Sequence, residues 1–237
     1  MKQRSRLFLS LIALCISLSL LLCSCGTLLP SRGVNKHIPS GALDNIPEFD
    51  GYTPYVIINN NIPFFTDDEI STASYEKYGK RDGLERCTVC IACIGIDIMP
   101  TEERQSISHI TPTGWVNAEY DFIEGGYVYN RCHLIGFQLT GESMNRENLI
   151  TGTQFLNIEG MLPFENMIAE YVRRTQNHVM LRVTPIFEGD NLVASGVLME
   201  GLSVEDGGIG IRFNIYVYNC QPGVIIDYAT GQTRPAK

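Results

Sequence analysis

The chain has 237 residues, enough for one sizeable core or two small ones, and sets 26 Asp and Glu against 18 Lys and Arg, a formal net charge of −8. So acidic a protein is excluded from general, non-specific attraction to polyanions; such a ligand would have to be met by a local basic cleft. No internal repeat and no low-complexity tract is present.

Lys2, Arg4 and Arg6 lead into an apolar run from Leu7 to Leu22, broken only by Ser10, Ser17 and Ser19: the basic and apolar regions of an export signal. Leu7 to Cys25 spans 19 residues, so an uncleaved membrane-spanning helix is the alternative. The run closes in "LLCSCG", which resembles the signal of bacterial lipoproteins. Leu22 and Ser24 fit that pattern, Cys25 would carry the lipid, and Cys23 departs from the usual small residue. Lipidation, plain secretion and an uncleaved anchor all put the remainder outside the cytoplasm. Removing residues 1–25 takes Lys and Arg from 18 to 15 against 26 acidic residues, a charge of −11. Residues 26–45, rich in Gly, Pro and Ser without a period, read as a tether.

The folded region, 46–237, reads as one α+β domain: an antiparallel sheet with helices. "YVIINNNIPFF" (55–65) is two short apolar runs around an Asn-rich turn, a hairpin or a bulged strand. "TDDE" (66–69) has the form of a capping box and predicts a short helix reaching Tyr78. Strand patterns follow at Cys87–Ile98 and Tyr127–Leu139, then a short one at Leu149–Gly152 and a helical segment bearing Asn157. The strongest helix is "PFENMIAEYVRRT": Pro163 suits its first turn, and Phe164, Met167, Ile168, Tyr171 and Val172 recur at three and four. "VMLRVTPIF", "LVASGVLME", "IGIRFNIYVYN" and "GVIIDYA" are strands separated by the turn sequences "EGDN", "EDGG" and "CQPG".

"CTVCIAC" (87–93) invites a metal or iron–sulfur reading, with Cys132 and Cys220 as distant further ligands. The interleaved Val89, Ile91, Ala92 and Ile94 favour a buried strand instead, with Cys87 and Cys93 on one face and Cys90 on the other. A disulfide is a third alternative, which an extracytoplasmic setting permits.

In "YVYNRCHLIGF" (127–137) an apolar strand breaks for Asn130-Arg131-Cys132-His133. A histidine there is on base rates a half-buried strand residue. Downstream stand Asn148, Asn157 nine positions on and Glu165 eight further. Strand, strand and helix, with a His on the first and an Asn on the helix, is a ββα-metal finger. These residues resemble the DNA/RNA non-specific endonuclease family, whose Asp-Arg-Gly-His is matched at Arg131 and His133, with Asn130 and Cys132 in place of the Asp and Gly. "GVIIDYATGQT" is similar to the end of DNA-entry nucleases, and the likeness runs from Tyr127 to Thr233.

The resemblance implies phosphodiester hydrolysis of DNA and RNA with Mg²⁺, for which Mn²⁺ is a possible substitute. A neutral imidazole can take a proton from water near pH 7, which makes His133 the general base. Asn157 is implied as the direct metal ligand, and one amide oxygen plus waters suits Mg²⁺. Asn130 would address the metal's water shell and Glu165 would orient metal-bound water. Arg131, two residues before His133 on the same side of an extended strand, can clamp a phosphate. Asn148 would shape the backbone beside the site. Each has a plainer role open to it: Arg131 a surface ion pair, Asn148 a turn, Asn157 a cap, Glu165 an acidic residue at a helix start, Arg173 and Arg174 a solvated helix end. Two other functions stay open, a nucleic-acid-binding protein on the same fold and a Cys-based redox or metal-cluster protein.

Overall fold

The computed structural model describes residues 37–236. The export signal, Cys25 and most of the tether lie outside them. Among the described residues no helix is long and apolar enough to cross a membrane.

Six strands form one sheet in the order β1 (Tyr55–Ile57), β8 (Arg212–Tyr218), β7 (Gly196–Ser203), β6 (Val179–Ile186), β3 (Cys90–Ile94), β2 (Tyr75–Tyr78). Every pairing in it is antiparallel. Two hairpins stand apart, β4 (Tyr129–His133) with β5 (Leu149–Thr153), and β9 (Val224–Ile226) with β10 (Thr233–Pro235). A single helical turn, α1 (Phe137–Thr140), follows β4. The long helix α2 (Leu162–Thr175), with Pro163 in its first turn, follows β5.

Strand alternation gives the sheet two covered faces. Phe213, Ile215 and Val217 of β8 point to a core shared with Ala92, Leu181 and Met199. Ile168, Ala169 and Val172 from the apolar stripe of α2 close it. Tyr216 and Tyr218 point the other way, to a smaller cluster with Leu198 of β7. Ile38, Leu43 and Ile46 pack on that second cluster, so the expected tether is corrected: its last residues, from His37, belong to the folded body. Their apolar side chains cover a sheet face that would otherwise meet water.

Beside that cluster the second face buries an ion pair. Arg182 Nε and Nη2 donate to Glu200 Oε2 and Oε1 at 2.8 and 3.0 Å, and Nη1 donates to Glu69 at 2.9 Å. This accounts for the missing helix at 66–78. The capping contact does form, with the Thr66 amide donating to Glu69 Oε2 at 3.0 Å, but Glu69 also serves Arg182 and the chain continues into β2 against β3. Nor do residues 55–65 make a hairpin. Asn59, Asn60 and Asn61 all take positive φ, and the Asn61 side chain bonds Arg212 and Asn214, so β1 is spent on β8.

The thiol expectations are corrected too. Cys87 precedes β3, so strand alternation does not count from it: Cys87 and Cys90 share the main core while Cys93 donates to Ser71 O on the other side. Cys87, Cys90, Cys93, Cys132 and Cys220 are free thiols, and no group of three His, Cys, Asp or Glu among the described residues is arranged to hold an ion.

Candidate active site

The expected strand over 127–139 ends at His133, because Asn148 takes over the backbone there. Leu134 N donates to Asn148 O, while the buried Asn148 side chain accepts from Ile135 N at 2.8 Å and donates to Ile135 O at 2.9 Å. That double clamp turns the chain out of β4 into α1. Opposite, β5 runs into Thr153, whose hydroxyl accepts from Leu156 N at 2.9 Å and starts the next turn. This turn, Leu156–Met161, is a π-helix, a wide turn often found at functional sites, and Asn157 sits in it just ahead of α2.

His133 is 6% exposed. Its Nε2 lies 3.0 Å from Ser143 O, which can only accept, so Nε2 carries the hydrogen. Arg104 Nη2 lies 3.2 Å from Nδ1, and a guanidinium can only donate, so Nδ1 offers its lone pair. Both contacts demand one neutral tautomer. Burial, joined by the Arg104 charge, lowers the His133 pKa to about 4. Glu165, in the first turn of α2 and 8% exposed, is pushed the other way by burial, to about 7.

A cavity of about 700 Å³ joins these groups, lined by Arg104, Asn130, Arg131, His133, Asn157 and Glu165. Arg131 reaches it with its guanidinium stacked over the Trp115 ring at 4.3 Å and its Nε donating to Ile110 O at 2.5 Å. Asn157 Oδ1 accepts from the buried Cys132 thiol at 3.2 Å. Asn148 stays outside, acting on the backbone. Arg173 and Arg174 lie exposed in the last turn of α2, away from the cavity, where the helix dipole favours cations.

The sequence reading missed Arg104, Ser143 and Gly136. Arg104 comes from the long loop between β3 and β4, directly after Glu102 and Glu103, and no spacing relates it to His133. Gly136 lines the cavity where an added Cβ would come within 2.7 Å of three carboxyl atoms of Glu165. Its missing side chain is what lets Glu165 stand there.

The cavity's donors are hard: an amide oxygen from Asn157 and a carboxylate from Glu165. They fit a cation that keeps most of its water, the habit of Mg²⁺, and do not fit an all-protein cage.

A carboxylate, a neutral imidazole and two guanidiniums around an open cavity on a ββα element define a hydrolase of the ββα-metal nuclease class. The family model for DNA/RNA non-specific endonucleases matches residues 67–204, beginning well before the expected Tyr127, and the chain belongs to that family. It is thereby an endonuclease acting on nucleic acid. Comparison with curated proteins gave no match. Among solved structures, NucA from Streptococcus agalactiae with magnesium bound is similar at a TM-score of 0.70 and 23% identity, over 82% of this chain and 92% of that one. The Sda1 nuclease with bound zinc aligns at a TM-score of 0.58 and 26% identity, over 70% and 82% of the two chains. A protein described as an extracellular endonuclease aligns at 0.55 and 21%, over 70% and 88%.

Proposed function

We propose that this chain hydrolyses DNA and RNA phosphodiesters with His133 as general base and one Mg²⁺ held through Asn157. The carrying observation is the His133 tautomer. Nε2 is spent on Ser143 O, and Nδ1, unprotonated and accepting from Arg104, is the ring nitrogen that can take a proton beside the cavity that Asn157 and Glu165 line. Burial and the Arg104 cation keep this imidazole neutral but weakly basic, and its proton affinity rises when Arg104 leaves Nδ1.

A scissile phosphate entering the cavity meets Arg104 and Arg131, the local positive charge that an acidic nuclease needs. As Arg104 turns its guanidinium to the phosphate, His133 Nδ1 is freed to take the proton of the attacking water. The Mg²⁺ would neutralise charge growing on a non-bridging oxygen and on the leaving oxygen. Asn157 and, through water, Glu165 would hold it, with Asn130 facing its hydration shell. Asn148 keeps the turn after His133 in register.

The test is digestion of plasmid and RNA by residues 26–237 with Mg²⁺, with Mn²⁺ or with chelator. His133→Ala should lose about 10²–10⁴-fold in rate and still bind DNA. Wild-type protein inert with both metals at neutral to alkaline pH would overturn the reading. An extracytoplasmic, membrane-tethered placement is supported by the basic and apolar start of the chain and by "LLCSCG". Cys25→Ala should release the protein from membranes or leave it unprocessed; processing and membrane retention like wild type would refute the lipid.

A further inference from the structure

Cys132 stands where the resembled motif has a glycine, and its surroundings are arranged for it. The side chain leaves β4 toward the π-helical turn, buried to 1% exposure. Diagonally across the hairpin, two residues along from its register partner Ile150, lies Gly152, where an added Cβ would come within 2.5 Å of Cys132 Cβ and 3.2 Å of its sulfur. The opposing strand thus gives up a side chain to admit this one. The sulfur then meets two atoms of the turn, Asn157 Oδ1 at 3.2 Å and Met161 Sδ at 3.6 Å. A thiol has one hydrogen, and Asn157 Oδ1 is a better acceptor than the thioether and lies nearer than the His133 carbonyl oxygen at 3.6 Å.

We infer that Cys132 is a positioning residue, whose S–H donates to Asn157 Oδ1 and holds that oxygen toward the cation site of the cavity. This rests on the proposed role of Asn157. The terminal torsion of an asparagine is broad, and a turned amide would offer its NH₂ group to a cation. An amide oxygen has two lone pairs, so one can serve the thiol and leave the other for the ion. A thiol is a weak donor and withdraws little of the oxygen's electron density. Partners that orient a ligand in this way typically change metal affinity by about 10–100-fold when removed. For so weak a donor the lower end, about tenfold, is the expectation.

The experiment is calorimetric titration of Mn²⁺ into the purified protein without nucleic acid, with the Mn²⁺ electron-resonance spectrum as a second readout. Cys132→Ala should bind Mn²⁺ about tenfold more weakly, and Cys132→Ser, which restores a donor, should recover most of that loss. Met161→Leu, which changes the packing around the sulfur but not the donor, should bind like wild type. Turnover of Cys132→Ala at saturating Mn²⁺ should stay near the wild-type rate, because the base and the arginines are untouched. If Cys132→Ala does not fold, Cys132→Val fills the space without a donor and carries the same expectation. Wild-type affinity in the donor-less variant, or an equal loss in Met161→Leu, overturns the positioning role alone. Wild-type protein that binds no Mn²⁺ overturns the metal site and this inference together.

Discussion

Gly136→Ala tests the site through the position of a single carboxylate. Gly136 has φ −61° and ψ 142°, which alanine adopts without strain, so the backbone tolerates the change. The added methyl would lie 2.5 Å from Glu165 Oε2, 2.6 Å from Cδ and 2.7 Å from Oε1, whereas ordinary contact begins near 3.4 Å. The carboxylate must therefore retreat by roughly 0.9 Å, the gap between 3.4 and 2.5 Å. The helix cannot retreat with it, because Ile168 and Val172 one and two turns on are fully buried in the main core. Because the atoms displaced are the far end of a flexible side chain, the cost stays at the low end for overpacking, about 1 kcal/mol. A displacement of about 1 Å in a catalytic group costs on the order of 10²-fold in rate. We expect a folded protein, a few degrees less heat-stable, that cleaves plasmid about a hundredfold more slowly at saturating Mg²⁺. Glu165→Gln should show a comparable loss, and the double variant little more than either alone, since both act on the same carboxylate. A Gly136→Ala enzyme with a lowered melting temperature and the wild-type rate would refute the reasoning, because Glu165 would then be displaced without consequence.

Arg104→Ala should lower kcat/KM and move the acid limb of the pH–rate profile to higher pH, since removing the cation beside Nδ1 lets the His133 pKa rise; an unmoved limb would mean that His133 is not the titrating base. In metal-free protein the two buried groups set opposite pH trends of stability. Glu165, held at about 7, stabilises fully below its ordinary value of 4.5, and that contribution is lost as pH rises through 7. His133, held at about 4, contributes stability above its ordinary 6.5 that is lost as pH falls through 4. Denaturant titrations should therefore be nearly flat around pH 5–6 for wild type, whereas Glu165→Gln should gain up to about 1.4 kcal/mol per pH unit rising through that window; a flat variant would contradict it. Asn130→Asp, adding a carboxylate to the cavity, should lower the half-saturating Mg²⁺ about fivefold, roughly 1 kcal/mol, and coincident Mg²⁺ titrations would remove residue 130 from the site. Glu200→Ala, which leaves Arg182 at 1% exposure with Glu69 as its one remaining carboxylate, should cost about 3 kcal/mol by chemical denaturation, the low end for breaking a buried pair, while replacing both by apolar residues should cost less; a single variant within 1 kcal/mol of wild type would refute the pairing.

Local periodicity was enough wherever an element buries one continuous stripe. The three-and-four spacing after Pro163 is α2, and the long apolar strands after it are β6, β7 and β8, since their side chains alone decide which face is covered. That His133, Asn157 and Glu165 would meet was legible too, because a hairpin and the following helix bring near-neighbours in sequence to one cavity, with Asn148 beside it on the backbone. What the sequence could not decide was settled by partners far away along the chain. Thr66–Glu69 carries a helix-start pattern and makes its contact, yet the buried Arg182, on β6, shares the same carboxylate and the chain goes on into a strand. Cys87 looks like the first position of an alternating strand, but pairing to β6 begins only at Cys90. Arg104 reaches His133 from a loop with no period to betray it, and the Ser143 carbonyl that selects the tautomer is a backbone group that any residue would supply. Periodicity records what a segment does with its own side chains; the charge and tautomer of a catalytic group depend on which distant atoms the folded chain sets against it.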